Sequence, residues 1–199
     1  MSSAPAAIGV AVALFVGTNL DDIVALALLN ASSSATGRPR RWHIWVGQYV
    51  GLGILVAVSA IASVGLAAVL GGWIWTIGLI PLTLGVIRLI AAIRSHGAGV
   101  GNVSAAAHGI LGVVGLTLAN GGDNLAAYTP VFHTLSPAEF TITMGVFAVG
   151  VAVWCTLGRI VVSHRRVTAA LQSWGRWIIP AVYIAIGLWV IAKGWMPHP

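Results

Sequence analysis

The sequence predicts an all-α membrane protein of about six transmembrane helices, arranged as two inverted three-helix repeats. Three observations predict it. The 199-residue chain is 58% hydrophobic and only 7% charged, where a soluble domain carries about 25% charged residues. Several apolar runs exceed the ~20 residues that cross a bilayer, without the polar–apolar alternation of membrane barrel strands. A short acidic motif also recurs once in each half.

The predicted spans are 5–31, 43–70, 73–94, 105–129, 138–161 and 175–195. The first starts close to the N-terminus with no basic segment before it, so it reads as a transmembrane helix rather than a cleaved signal. The remaining residues are too few for a soluble domain. One transmembrane domain therefore occupies 1–199, with a first repeat over 5–94 and a second over 105–195.

Lys and Arg set the predicted orientation. Arg38, Arg40 and Arg41 lie in the first loop, Arg94 borders the third, and Arg159, Arg165, Arg166 and Arg176 surround the fifth. The loops near Gly71 and Ser136 hold neither residue, so the odd loops face the cytoplasm and both termini face outward; Lys193 dissents. The net charge of +6 then reflects topology, and no nucleic-acid partner is expected. Trp42, Trp45, Trp73, Trp75, Trp174, Trp177 and Trp195 fall near span ends, where indole rings suit the headgroup region.

The repeat is read from two pairs of stretches. NLDDIVALAL (19–28) in the first span matches NGGDNLAAYT (120–129) in the fourth. LIPLTLG (79–85) echoes IIPAVYIAIG (178–187), with Pro81 and Pro180 expected to kink their helices. Three spans per half imply opposite insertion of the halves, the inverted repeat of many secondary transporters.

Three of the four acidic residues, Asp21, Asp22 and Asp123, lie in the matched motifs. One charge at mid-helix costs about 2.5–3.5 kcal/mol on insertion scales, so the three are expected to face a cavity, one another or a cation. Asn19 and Asp22, and likewise Asn120 and Asp123, stand three apart on one helix face. Gly121 and Gly122 can let the fourth span open, adding backbone carbonyls. Amide oxygens of Asn19, Asn120 and Asn124 and hydroxyls of Thr18 and Thr117 complete a hard, oxygen-rich set suited to a divalent cation. Intramembrane Asn and Asp also serve as helix–helix glue, each bond worth about 0.6 kcal/mol. Gln48 is a further oxygen ligand or a helix–helix hydrogen bond.

Other chemistry finds little support. The single Cys155 excludes a disulfide and a thiolate cluster and is expected to pack. His133 and Glu139 read as solvated ends, and His108 lies too far along the helix to share a shell with Asp123. The G-x-x-x-G of Gly47 and Gly51 reads as close packing. No H-E-x-x-H and no phosphate-binding G-x-x-x-x-G-K-[ST] is present, so neither an enzyme nor a nucleotide-driven pump is expected, and no cofactor. Arg88, deep in the third span, is the one basic residue that could meet a substrate carboxylate.

The ordered set NLDD (19–22), GQYVGLG (47–53), LIPLTLG (79–85), NGGDN (120–124) with YTP (128–130), and GRWIIP (175–180) resembles the cadmium-resistance transporter family. That family belongs to the lysine-exporter superfamily of small six-helix permeases, which includes manganese exporters. The resemblance spans nearly the whole chain. It implies efflux of Cd²⁺ or a related divalent cation, Mn²⁺ and Zn²⁺ included, across the bacterial inner membrane. By position it makes Asn19, Asp21, Asp22, Asn120, Asp123 and Asn124 the metal site, with Gln48 and Tyr128 secondary. The expected mechanism is alternating access, driven by exchange with protons. Rival readings are efflux of an amino acid or other small solute, and a non-transporting membrane assembly protein. The expected partners are the cation and membrane lipid, with a homodimer left open.

Overall fold

The computed structural model describes residues 4–94, 109–161 and 165–195, and every regular element among them is helical. The predicted first span is two helices, α1 (Ala4–Asn19) and α2 (Asp22–Thr36), bent by 58° about Leu20 and Asp21. α2 continues past the predicted span end. It stops where Gly37 takes a left-handed φ of 71° and its N–H reaches Ser33 O at 3.1 Å, a terminator that glycine adopts without Cβ strain.

Beyond it, α3 covers Arg41–Leu70, a 3₁₀ turn covers Gly71–Gly78, and α4 covers Leu79–Arg94. The second half holds α5 (Gly109–Asn120), α6 (Gly122–Thr134), α7 (Pro137–Val161) and α8 (Arg165–Trp195). The predicted fourth span is thus also two helices, parted at Gly121. Pro81 stands in the first turn of α4, where a missing N–H removes no intrahelical bond; Pro180 lies inside α8.

Among the described residues four stretches are long and apolar enough to cross a membrane: Arg41–Leu66, Trp75–Arg94, Pro137–Val161 and Trp177–Gly194. Counting the bent α1–α2 pair as one span gives five. The chain is a multi-pass membrane protein. The count falls short of six because α5, with 12 residues, rises only about 18 Å, against a ~30 Å hydrocarbon core. The run predicted as one span is interrupted at its acidic motif.

The packing is reciprocal. The broken helices of the first half, α1 and α2, lie on α7 of the second; those of the second half, α5 and α6, lie on α3 of the first. Small residues permit the approach. A Cβ on Gly51 of α3 would lie 2.7 Å from Thr117 Cβ of α5, and one on Gly158 of α7 would lie 2.6 Å from Leu26 Cβ of α2. Gly47 meets Val113 in the same way, so its G-x-x-x-G with Gly51 is a packing face. The echoing LIPLTLG and IIPAVYIAIG stretches pack on each other, Gly85 against Ile184 and Gly187 against Leu82.

Around the breaks the core is aromatic. Phe15 meets Trp154 and Phe147 edge-on, at 5.1 and 5.4 Å between centroids. Cys155 is buried in this core, as expected of a packing residue. Trp42, Trp45, Trp73, Trp174 and Trp177 are exposed, as anchors require. His108, the 95–104 connection and the side chains of Arg165, Arg166, Arg176 and Trp195 lie outside the described residues.

Candidate functional site

Both acidic motifs sit at helix breaks. Asn19 ends α1 and Asp22 begins α2; Asn120 ends α5 and Gly122 begins α6, with Asp123 and Asn124 in its first turn. At each break the carbonyl end of one helix meets the N–H end of the next. The i→i−4 ladder tightens there to i→i−3, in Val24 N–H to Asp21 O and Gly121 N–H to Leu118 O, both 3.1 Å. The two glycines divide their work. Gly121 forms the break, and a Cβ there would run into the Leu55 side chain, whereas a Cβ on Gly122 would meet nothing within 4 Å.

One group of predicted residues converges between α2, α3 and α5. Asp22, Gln48, Thr117 and Asn120 form the polar side of a cavity of about 10 Å³, closed by Ala25, Leu26, Leu29 and Leu116. That is about the room of one water. Ca²⁺-sized cations bind oxygen at about 2.3–2.6 Å, so an unhydrated ion of that size is commensurate with the space. Thr117 Oγ1 donates to Gln48 Oε1 at 2.8 Å, and Asn120 Nδ2 donates to Asp22 Oδ1 at 3.4 Å. Asp22 is only 4% exposed, so its carboxylate has little water to solvate it.

A second group lies between α1 and α6. Asn19 Nδ2 is 2.9 Å from both Tyr128 Oη and Thr18 Oγ1, and those two oxygens are 3.1 Å apart. Asn124 Nδ2 donates to Asn19 Oδ1 at 3.2 Å. Trp154 Nε1 donates to the Asn19 carbonyl at 2.6 Å, satisfying one of the acceptors at the end of α1. Asn124 Oδ1 is buried and accepts no hydrogen bond from the described residues.

The third acid goes elsewhere. Asp123 forms an ion pair with Arg88 of α4, with the side chains 23% and 36% exposed respectively. The Arg88 guanidinium also lies 5.9 Å from the Tyr183 ring centroid on α8. Asp21 is half-buried at the first break, within the electrostatic reach of Arg88 and beside Asp22. Among the described residues no three His, Cys, Asp or Glu side chains gather in a group able to hold a metal ion. The oxygen-rich cavity instead combines one carboxylate with neutral oxygens.

Trp154 and Tyr183 are the additions made by the structure, whereas Arg88, singled out in the sequence as a possible partner for a substrate carboxylate, meets Asp123. Arg88 carried a signal, being a charge inside an apolar run. Trp154 carried none, since seven of the nine tryptophans mark span ends. Glu139 and Lys193 have structural partners. Glu139 Oε2 accepts from Ser136 N–H and Oγ at 2.8 Å, a capping box that starts α7. Lys193 Nζ donates to Thr134 O at 2.7 Å, placing the dissenting charge at the negative end of α6. A larger groove of about 540 Å³ on α3 and α7 is lined mostly by alanine and valine and lies away from the acids.

A family model described as "Cadmium resistance transporter" matches residues 15–195, a stretch that contains both breaks and every residue of the cavity. No curated protein and no solved structure matches the chain.

Proposed function

The chain belongs to the cadmium resistance transporter family, and from that premise we propose that it is a secondary transporter exporting a divalent cation such as Cd²⁺, Mn²⁺ or Zn²⁺. The observation that carries the reading is the cavity where Asp22, Gln48, Thr117 and Asn120 converge between two broken helices. Its oxygens suit a hard or borderline cation, and no thiolate is present to restrict it to soft metals. Asp22 supplies the charge. Asn19, Asn124, Thr18 and Tyr128 hold the breaks together, and Asp21 and Asp123, outside the cavity lining, are further carboxylates that the cation draws on during the cycle.

The transport cycle is alternating access between two inverted repeats, each with a broken helix packed on the long helix of the other. The reciprocal packing of α1–α2 on α7 and α5–α6 on α3 supports that symmetry. Counting α5–α6 as a broken span then restores six crossings, with both termini outside the bacterial inner membrane. Moving two charges outward against 100 mV costs about 4.6 kcal/mol. The cycle draws this from exchange with protons that neutralise the same carboxylates. The ion pair of Arg88 with Asp123 disfavours amino-acid efflux, because the one candidate partner for a substrate carboxylate is already engaged.

Flux of Cd²⁺, Zn²⁺, Mn²⁺ and Ca²⁺ into proteoliposomes tests the reading. Uptake of at least one transition metal, abolished by dissipating the proton gradient, is the expected result. Absence of flux for all four ions overturns the function; flux indifferent to the proton gradient overturns the coupling.

A further inference from the structure

Arg88 is the only basic residue within hydrogen-bond or ion-pair reach of the motif acids among the described residues. It comes from α4, outside both motifs, and meets the acid of the second one. Its surroundings differ from those of a locked structural pair. Both side chains retain exposure, 36% for Arg88 and 23% for Asp123, so neither is sealed in place by packing. In the same placement the guanidinium also lies over the Tyr183 ring, 5.9 Å from its centroid, a contact that does not need the carboxylate. Tyr183 itself is fixed, fully buried at 0% exposure.

The charges give this arrangement a purpose. Without a cation, three carboxylates at two adjacent breaks repel one another in a medium that screens poorly. A dication that draws on the motif carboxylates meets a like charge in the guanidinium, which pairs with Asp123 and lies within electrostatic reach of Asp21. Arg88 and the cargo therefore compete for the same negative charge.

Resting on the transport reading above, we propose that Arg88 is a tethered substitute for the cargo: it holds the Asp123 carboxylate in the empty carrier and yields it, keeping its place over the Tyr183 ring, when the divalent cation binds. The empty carrier then changes face without exposing an unpaired acid to the membrane interior. Arg88 is a positioning residue and touches no metal. It weakens cargo binding and speeds the return of the empty protein. It also sets a floor on the cargo charge, since a monovalent ion gains too little at the cavity to displace a guanidinium.

Equilibrium Cd²⁺ binding to the purified protein, together with Cd²⁺ flux in proteoliposomes, tests it. R88Q is expected to bind Cd²⁺ on the order of tenfold more tightly while its turnover falls. A purely structural Arg88 would move both in the losing direction. R88K keeps the charge but lacks the fork that grips a carboxylate, and should fall between the wild type and R88Q in both readouts. In the D123N background, the gain in Cd²⁺ affinity from R88Q should shrink to what like-charge repulsion alone supplies, because the contested carboxylate is gone. Unchanged or weaker binding in R88Q, or an equal gain in the D123N background, overturns the proposal. Should R88Q not fold, R88K decides alone, and binding no tighter than wild type overturns it. Failure of the wild type to bind or carry Cd²⁺ at all is a different result, and overturns the transport reading instead.

Discussion

Asn124 Nδ2 donates to Asn19 Oδ1 at 3.2 Å, joining the start of α6 to the end of α1. This bond and the 3.4 Å contact of Asn120 with Asp22 tie two helix breaks that lie a hundred residues apart in sequence. The breaks therefore act as one unit, and most consequences of substitution follow from which side of that unit is touched.

Asp22 is the only charged residue lining the cavity. D22N preserves shape and can still meet Asn120, but removes the charge that balances a cation. Cd²⁺ affinity is expected to fall by on the order of 100-fold, as loss of a buried charge partner implies. Thermal stability in detergent should hold or rise, because a poorly solvated carboxylate has gone. Isothermal titration and a melting curve on the same preparation check both halves; equal affinity in D22N removes Asp22 from the site.

T117V swaps a hydroxyl for a methyl of nearly the same volume. It leaves Gln48 Oε1 without its 2.8 Å donor and deletes one oxygen from the cavity. The expected loss is about 1–3 kcal/mol of stability from the orphaned acceptor. Cd²⁺ binding should weaken less than in D22N, since a neutral oxygen is lost. A melting temperature equal to wild type would show that Gln48 finds another partner.

The glycine pair should respond unequally. G121A puts a methyl against Leu55 with no space for it, whereas G122A fills open space. Overpacking costs typically about 1–3 kcal/mol, so G121A should melt early and lose transport. G122A should be neutral or slightly stabilising, as Gly→Ala within a helix is worth roughly 0.5–1 kcal/mol. Similar behaviour of the two variants would contradict the division of work between them.

W154F retains the aromatic contact with Phe15 but drops the 2.6 Å hydrogen bond to the Asn19 carbonyl. A buried acceptor at the end of α1 is then unpaired, at a cost of about 1–3 kcal/mol. Melting should shift down and hydrogen exchange at the amides of residues 20–24 should quicken. Unchanged exchange there would mean that the break is held by the Asn19 and Tyr128 side chains without the indole.

Much of this protein was legible in its sequence, and for a simple reason. Apolar runs and their rare interruptions are properties of composition along the chain, so the helical class and the two acidic motifs could be read directly. The chemical character of the cavity could be read too, because carboxylates, amides and hydroxyls are the only polar groups in those stretches. The partition of these groups was decided by tertiary structure. Asp22 faces Gln48 and Thr117 because Gly51 lets α3 approach α5 closely; Asn19 faces Tyr128 across α1 and α6. Asp123 points to Arg88 on a helix that carries neither acidic motif. Nor does hydropathy reveal that a long apolar run bends by 58° at its acids, since the break lowers local helix order without changing the run's composition. Side-chain types set what chemistry is available, and the crossing of separate helices sets which of them meet.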